Sequence, residues 1–366
     1  MGSTQGDAMI LVESVHHLET QWERYIVAEG ERIESRLGGL ADQDLVLALL
    51  SIVVAGSVRD IVASAAESFW GYPLRENADW LAQQRTRVEG ALGPLVAEGF
   101  VVADGGTYRL TEAGRVCGVF GMKVASARKV LSTTRTLLAN GAEVTGADLL
   151  ALAQLTTELD AVYTPMASQE AWDWQSQPGL STRPLLGEAL SGGAEAPEIG
   201  AKRIKRLDIL TQWLGGQPLL AIEGKVSNDA ATPVIGEIRY IAGRTADMLL
   251  PVTALIGACD PASGARLIPI ARELIPRLEL GVGVAAGRLH KAGVGLTRLQ
   301  ALSLEKAGIA DIGSLKEALT GSAPQLEAVL GSSSVAAIRA ILDGKRGGGR
   351  SRKTPEAPSL NLFDIA

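Results

Sequence analysis

Apolar residues in the first third of the chain fall into three runs with helical spacing. The run DLVLALLSIVVAG (residues 44–56) predicts a buried helix that ends at Gly56. The run SVRDIVASAAESFWGY predicts a second helix, capped by Ser57 and ended at Gly71. The run RTRVEGALGPLVAEGF predicts a third helix, with Gly99 as its expected stop.

A β-hairpin is predicted after these three helices. Asp104, Gly105 and Gly106 separate two short β-type runs, FVV and YRL, and a turn of this composition is a strong hairpin signal. Thr111 then caps the start of another helix. Three helices and a two-stranded wing predict a winged helix over residues 41–120. This helix-turn-helix variant is common in nucleic-acid-binding proteins.

The middle of the chain, residues 121–275, has apolar positions at helical spacing almost throughout and predicts a helical bundle. The stretch 175–200 is rich in Pro, Gly and Ser, and is the best candidate for an internal loop.

A short internal repeat follows the predicted bundle. The sequence KAGV at residues 291–294 recurs fifteen residues later as KAGI. Two short helices joined at such a glycine form a helix-hairpin-helix, whose free backbone amides favour a phosphate. We therefore expect a helix-hairpin-helix over residues 276–343.

The two ends of the chain differ from the parts between them. Residues 8–12, AMILV, predict a short buried strand, although no neighbouring strand is predicted to pair with it. Residues 344–366 begin as a flexible basic linker and end in an apolar peptide. The predicted fold class is mostly α, with a short N-terminal strand, a winged helix, a helical bundle and a helix-hairpin-helix.

Composition narrows the class of protein. Of 366 residues, 46% are hydrophobic and 21% charged, which is ordinary for a globular chain and excludes disorder throughout. No apolar run approaches the ~20 residues that cross a bilayer, so no membrane association is expected. Two cysteines and three histidines cannot form a disulfide framework or a zinc site of standard spacing. We expect a cytoplasmic protein.

Charge is unevenly distributed along the chain. Residues 1–45 carry nine acids and three bases, which accounts for the whole formal net charge of −6. Residues 107–140 carry six bases against one acid, and AKRIKR at 201–206 has four bases in six residues. This distribution argues against a protein that coats nucleic acid with its whole surface, and it leaves open a local basic track or solvated helix faces.

Motifs for catalysis are missing from the sequence. It contains no G-x-x-x-x-G-K-[ST] phosphate loop, no DExH or DExD box, and no defensible Ser-His-Asp or paired-carboxylate arrangement. The glycines at 281–287 imitate a dinucleotide loop, but no parallel strand is predicted before them. We therefore predict no catalytic residue, no metal site and no cofactor in this chain.

The order of these segments resembles one known arrangement. Ski-like superfamily 2 DNA helicases, in particular archaeal repair helicases with a ratchet domain, follow their two motor domains with a winged helix, a helical ratchet bundle and a helix-hairpin-helix. GDAMILVES and RYIVAEGERIESRLG resemble the family's last motor strand and connector. The matching residues are Gly6, Ala8, Tyr25, Ile26, Glu31, Ile33, Ser35 and Leu37. The resemblance covers about residues 6–343 and implies that residues 1–40 are the end of a second motor domain and its connector.

The resemblance also implies a DNA-binding surface. The segment IGEIRYIAGRTADMLLPVTALIG resembles the long ratchet helix, on which Arg239 and Arg244 would face the DNA backbone. Met248 lies near the position of a tryptophan that stacks on a base in that family. In the hairpin, phosphates would be held by Arg298 and the turn at Gly293 and Gly295, with Arg288 as a further candidate. The basic side chains that would border the DNA duplex after the wing are Lys123, Arg128 and Lys129.

Partners are implied in the same way. The family's two ATP-binding domains have no counterpart in this sequence, so either the motor is a separate polypeptide or the sequence is a fragment. In the first case a separate ATPase subunit would supply ATP and Mg²⁺, and the present chain would grip single-stranded or forked DNA. Met9, Ile10, Leu11 and Val12 would complete the sheet of that subunit. Leu360, Leu362 and Phe363 resemble the peptide that bacterial sliding clamps accept, although Ser359 replaces its glutamine.

Two other classes of function remain open at this point. The first is an adaptor that recruits a DNA repair or defence complex without binding DNA tightly, which the acidic charge balance favours. The second is a winged-helix transcription regulator. Its third helix would read DNA with Arg85 and Arg87, but the glycine-rich remainder of that helix has few side chains that read bases.

Overall fold

The computed structural model describes residues 22–23, 34–166, 174, 184–191, 197–226, 234–321 and 323–342. The predicted strand at 8–12 and the tail at 344–366 lie outside the described residues. So do the partner-binding residues predicted in them, Met9, Ile10, Leu11, Val12, Leu360, Leu362 and Phe363. In the described part of the chain, seventeen α-helices and three short strands form a mostly α fold, which confirms the predicted fold class.

Three helices and a three-stranded sheet, in the order expected for the predicted winged helix, occupy the N-terminal part of the described chain. The elements are α1 (Asp42–Val53), β1 (Ala55–Gly56), α2 (Val58–Glu67), α3 (Ala78–Ala97), β2 (Val101–Asp104) and β3 (Thr107–Leu110). The three strands form an antiparallel sheet in the order β1-β3-β2. Asp104 pairs with Thr107 across Gly105 and Gly106, whose φ angles are 53° and 84°. Positive φ at both central positions characterises a type I′ turn, so the predicted hairpin is confirmed.

Three helix boundaries differ from the sequence prediction. Helix α1 ends at Val53, and Ala55 and Gly56 pair with β3 as strand β1, so Gly56 does not end the helix. Helix α2 ends at Glu67 rather than at Gly71. A Cβ on Gly71 would lie 2.1 Å from the carbonyl oxygen of Ala65, so this glycine permits a close backbone approach instead of ending a helix. Helix α3 begins at Ala78, because the side chain of Asn77 caps it by accepting a hydrogen bond from the Trp80 amide.

A helical bundle follows the wing. Its helices are α4 (Glu112–Phe120), α5 (Val124–Ala139), α6 (Gly146–Ala153), α7 (Thr157–Asp160), α8 (Pro184–Ser191), α9 (Pro197–Leu214), α10 (Leu219–Val226), α11 (Ile235–Cys259) and α12 (Pro261–Leu280). Helix α11 is central and packs on α4, α5, α6 and α12. It crosses α12 closely at Gly257 and Gly264, where neither residue has a side chain. A Cβ on Gly264 would lie only 2.4 Å from the Cα of Gly257. One continuous hydrophobic core runs through the winged helix and the bundle, from Leu45 to Leu278.

A second, smaller core lies in the last described part of the chain. Its helices are α13 (Val284–Lys291), α14 (Arg298–Lys306), α15 (Ile312–Gly321), α16 (Ala323–Leu330) and α17 (Ser332–Leu342). The buried side chains of this part, from Val282 to Ile338, pack separately from the first core. The helix-hairpin-helix formed by α13 and α14 therefore belongs to a unit with a core of its own.

Helix α11 is the one described helix that is long and apolar enough to cross a membrane. However, 61% of its apolar window is buried inside the bundle, as is usual for the core helix of a soluble protein.

Candidate nucleic-acid interface

Helix α11 presents one open face beside its buried side. Ile238 and Ile241 are buried in the core, whereas Arg239 is exposed and Tyr240 is 57% exposed. Gly236 and Gly243 complete this face at i, i+3, i+4 and i+7 spacing, and a Cβ on either glycine would meet no atom of the described residues within 4 Å. We call Gly236, Arg239, Tyr240 and Gly243 the α11 strip. It combines a cation, an aromatic ring and two positions where another molecule can approach the backbone closely.

The aromatic residue of the strip was missed by the sequence analysis. A base can stack on the exposed ring of Tyr240, because every base has a π-face. The signal that could have identified it is the 3.6-residue period. That period places Ile238, Ile241 and Ala242 on the buried side and turns Tyr240 away from them.

Met248 does not serve the role predicted for it. Its side chain is 8% exposed and belongs to the hydrophobic core. A base could not stack on it without opening that core. The structure therefore corrects this prediction and leaves Tyr240, two helical turns nearer the N-terminus, as the exposed ring of α11.

Arg244 lies beside the strip and is partly neutralised. Its Nη1 is 2.7 Å from Oδ2 of Asp247, three residues later on the same helix. Asp247 also lines a cleft of about 320 Å³ that includes Phe120 and Glu279. The two carboxylates make the region around Asp247, in the middle of α11, acidic, so a phosphate backbone would be favoured near Arg239 rather than near residue 250.

The predicted hairpin turn contains two exposed glycines in the left-handed backbone region. Gly293 and Gly295 have φ angles of 75° and 70°, and both are exposed, whereas Val294 between them is buried. Among the described residues, no acceptor bonds to the Gly295 amide. Thr297 caps α14 through reciprocal hydrogen bonds with Gln300, so the hairpin turn (Gly293, Val294 and Gly295) leads directly into a helix N-terminus.

Basic side chains surround the hairpin turn. Arg288 and Lys291, in the last turn of α13, are exposed. Arg288 also lies near Asp311, whose pKa is lowered mainly by hydrogen bonds from Ser314 and more weakly by the charge of Arg288. Arg288 therefore keeps the position predicted for it at the edge of the hairpin.

Arg298 is half-buried, and its guanidinium is engaged by groups of the protein itself. Its Nε donates to the carbonyl oxygen of Gly281 at 2.8 Å, and its Nη2 donates to that of Gln217 at 2.7 Å. The guanidinium carbon lies 4.6 Å from the ring centroid of Trp213. Because these contacts engage the guanidinium within the protein, the structure corrects the predicted phosphate contact.

Two of the three basic side chains predicted to border the duplex are held in ion pairs. Arg128 lies 2.6 Å from Glu98, and Lys129 lies 3.6 Å from Asp160. Lys123 is exposed, and its backbone amide, rather than its side chain, donates to Glu158. Of this group, only Lys123 offers a cation that has no acidic partner among the described residues.

The basic segment at 201–206 is inside the bundle rather than on a surface. Arg203 is 4% exposed and Arg206 fully buried, and both lie on α9. Arg203 donates from Nε to Oδ1 of Asp160 at 2.8 Å, and Arg206 donates from Nε to Oε1 of Gln154 at 2.9 Å. Burial lowers the pKa of Arg206 to about 10, which leaves it charged at neutral pH. Arg203, Arg206, Asp160 and Gln154 form what we call the buried basic cluster.

The winged helix offers little for reading bases. Arg87 of α3 donates to Asp42 at 2.7 Å and to the carbonyl oxygen of Leu40 at 3.1 Å, so its guanidinium is engaged within the protein. Arg85 remains exposed and lines, with Arg59, a cleft of about 400 Å³ between α2 and α3. The exposed positions Gly90 and Gly93 on α3 carry no side chain that could contact a base edge.

Comparison with known proteins adds no relative: no protein-family model matches the chain, and no curated protein matches it. Among the described residues, no group of three His, Cys, Asp or Glu side chains could hold a metal ion. The case for a function therefore depends on the geometry of the chain itself.

Proposed function

We propose that this protein is the DNA-engaging, non-catalytic half of a split superfamily 2 DNA helicase. It would hold single-stranded DNA on the α11 strip while a separate ATPase subunit, carrying ATP and Mg²⁺, supplies the motor. The observation that carries the proposal is the open face of α11, on which Arg239 and Tyr240 are exposed between two glycines whose added Cβ atoms would meet no described residue within 4 Å.

The chemistry of the strip suits a single strand better than a duplex. Stacking on an aromatic ring requires an unpaired base, and it contributes about 1–3 kcal/mol per base. Arg239 can neutralise a neighbouring phosphate, and the open glycines let the sugar-phosphate backbone approach the helix. In a duplex the bases are already stacked on one another, so Tyr240 would have no free base to contact.

The hairpin turn supplies a second contact point. The Gly295 amide and the exposed Arg288 are suited to a phosphate, and neither depends on base identity. With Arg239, Arg288 and Lys123 as the main free cations, about three phosphates would be neutralised. Binding to single strands should then weaken with salt with a slope of about −2 in log–log form.

Tyr240 provides the decisive experiment. Fluorescence anisotropy with labelled single-stranded and duplex oligonucleotides should show tighter binding of the single strand. Tyr240→Ala should weaken that binding and leave duplex binding unchanged. Tyr163, which is 69% exposed elsewhere, supplies the matched control Tyr163→Ala. Equal binding by parent and Tyr240→Ala, or loss of equal size in both variants, contradicts the proposal.

The motor and clamp partners are tested through the two ends of the chain. Co-expression with a two-domain ATPase should give a complex that is lost when residues 1–15 are removed. A sliding clamp should be retained by the full chain and not by one that lacks residues 355–366. Equal co-purification of the ATPase with and without residues 1–15 would count against the split-helicase arrangement.

A second candidate function is an adaptor that recruits a repair or defence complex without tight DNA binding. The net charge of −6 favours it, and so do the ion pairs that engage Arg128, Lys129 and Arg244. An adaptor of this kind would show weak DNA binding that is insensitive to Tyr240→Ala, together with a stable protein complex.

A further inference from the structure

Part of the contact between the two hydrophobic cores is a small junction beside the packing of α12 against α13. One side is formed by the end of α9, with Trp213 and Gly216, and by the end of α12 at Gly281. The other side is formed by α14, with Arg298 and Leu302. We call these five residues the junction. Its position matters because α14 is the helix that begins directly after the hairpin turn.

Arg298 makes three contacts across the junction. Its guanidinium donates to two backbone carbonyls, at Gly281 and Gln217, and stacks on Trp213. Gly281 is the C-cap of α12, and Gln217 lies in the loop between α9 and α10, so neither carbonyl belongs to the hydrogen-bond ladder of a helix. The arginine therefore supplies hydrogen-bond donors to two non-helical carbonyls on one side with a single side chain from the other.

The surroundings of Arg298 are closely built. Trp213 is 1% exposed, and its Nε1 donates to the carbonyl oxygen of Leu278 at 2.7 Å, which fixes the ring. A Cβ on Gly281, whose φ is 76°, would lie 2.2 Å from that ring. A Cβ on Gly216 would lie 2.6 Å from Leu302. The glycines thus leave just enough room for the indole, the guanidinium and the leucine to pack together.

Arg239 of the α11 strip interacts electrostatically with the junction. Burial and, to a lesser extent, the charge of Arg239 lower the pKa of Arg298. Arg298 is the first residue of α14, immediately after the cap Thr297, and the hairpin turn ends two residues before that cap. A shift of α14 at the junction would therefore move the hairpin turn relative to Arg239.

We propose that Arg298 is a positioning residue, which holds the hairpin turn in line with the α11 strip so that one DNA strand can contact both. This inference rests on the proposed function. It differs from the sequence prediction, in which Arg298 itself holds a phosphate. Two linked contact points bind a common ligand more tightly when their relative position is set in advance.

Arg298→Lys is the substitution that distinguishes a positioning residue from a phosphate ligand. Lysine keeps the positive charge, so it can replace a simple phosphate contact. It cannot bond two carbonyls in a planar fork and stack on an indole at the same time. Leu302→Ala loosens the same junction without changing any charge. Arg288→Gln removes an exposed hairpin cation and serves as the comparison for a true phosphate contact. Arg272→Gln, on the exposed side of α12, is the matched control.

The first measurement needs no DNA. Spin labels are placed at Ala139→Cys in α5 and Lys316→Cys in α15, both exposed, in the full chain with Cys117→Ala and Cys259→Ala. The distance distribution between the labels should be narrow in the parent. It should be broader in Arg298→Lys, Arg298→Gln and Leu302→Ala, and unchanged in Arg288→Gln and Arg272→Gln. An unchanged distribution in Arg298→Lys and Arg298→Gln overturns the proposal.

The second measurement is the salt dependence of binding to oligothymidine. Arg298→Lys, Arg298→Gln and Leu302→Ala should each weaken binding by about tenfold with the salt slope unchanged. Arg288→Gln should instead reduce the slope by about 0.7, as expected when one phosphate contact is lost. Parent-like binding by Arg298→Lys, with the reduced slope appearing only in Arg298→Gln, would make Arg298 a phosphate ligand and overturn the inference. A parent chain that binds no DNA overturns the proposed function, and the label distances then still decide whether Arg298 holds the two parts together.

Discussion

The α11 strip and the buried basic cluster show how differently the same residue types can be used. The segment at 201–206 is the denser in charge, with four bases in six residues, yet Arg203 and Arg206 are buried among partners. The strip has only Arg239 as a cation, yet that cation is exposed beside an open aromatic ring. Charge density along a sequence therefore did not indicate which cations face solvent.

The physical reason for the difference is the position of one carboxylate. Asp160, at the end of α7, accepts from Arg203 and lies 3.5 Å from Arg206 and 3.6 Å from Lys129. The carboxylate of Asp160 provides a negative charge close to these cations, and Arg206 also donates a hydrogen bond to Gln154. These interactions offset the cost of burying the two guanidinium groups. No acid among the described residues is paired with Arg239, so nothing draws it into the protein.

The largest expected effect comes from removing that carboxylate. Asp160→Asn leaves Arg203 and Arg206 buried without their counter-charge, which should destabilise the protein by about 3–5 kcal/mol in chemical denaturation. Asp247→Asn breaks an ion pair whose side chains are 37% and 56% exposed, and it should cost less than about 1 kcal/mol. Similar losses in the two variants would show that the buried cluster has no special dependence on Asp160.

A smaller effect is expected where the two regions are connected. Gln154, which accepts from Arg206, donates from Nε2 to Oγ1 of Thr245 on α11 at 3.1 Å. Thr245→Val leaves this buried amide without an acceptor and should cost about 1–3 kcal/mol of stability. Thr253→Val is the control, because the Thr253 hydroxyl only donates to the carbonyl oxygen of Leu249 within its own helix. If both variants unfold at the same denaturant concentration, the connection contributes nothing measurable.

Replacing a glycine of the α11 strip by alanine should change protein stability and DNA binding in opposite directions. Gly243→Ala places a methyl group in open space on a helix and should stabilise the protein by about 0.5–1 kcal/mol. The same methyl group should weaken single-stranded DNA binding, because it occupies the space for the backbone. Gly224→Ala, at an exposed and equally open position of α10, should stabilise the protein without affecting DNA. Unchanged DNA binding by Gly243→Ala would show that the DNA backbone does not approach α11 closely at Gly243.

The smallest effect is expected for the single free cation of the strip. Arg239→Gln should weaken binding to single strands a few-fold at moderate salt and reduce the salt slope by about 0.7. Unfolding should be unchanged, because Arg239 is exposed. A stability loss comparable with that of Asp160→Asn, or an unchanged slope, would place Arg239 among the structural cations instead.

Local features of the fold were predictable from the sequence. The hairpin was identified from Asp104, Gly105 and Gly106, because only residues that tolerate positive φ satisfy its turn. Ser57 and Thr111 were identified as helix caps because their hydroxyls accept from nearby amides. In the candidate interface, Arg239 and Arg288 are exposed and the hairpin glycines have positive φ, and the DNA contacts of these residues stay predictions.

Errors arose where a partner lies far away in the sequence. The guanidinium of Arg298 is engaged by carbonyls at Gly281 and Gln217, and that of Arg203 by Asp160. Met248 is buried because neighbouring helices cover its side of α11. The sequence within a few residues of each of these side chains does not indicate the contact.

The sequence by itself determined the mostly α fold class, the wing, the helix caps and the turn glycines, because each depends on backbone preferences and on hydrogen bonds between near neighbours. Only the tertiary structure decided which cations are exposed, which aromatic ring is free, and that Arg298 joins the two cores. Those properties depend on which helices pack together, and burial and ion pairing are set by atoms brought together from distant parts of the chain.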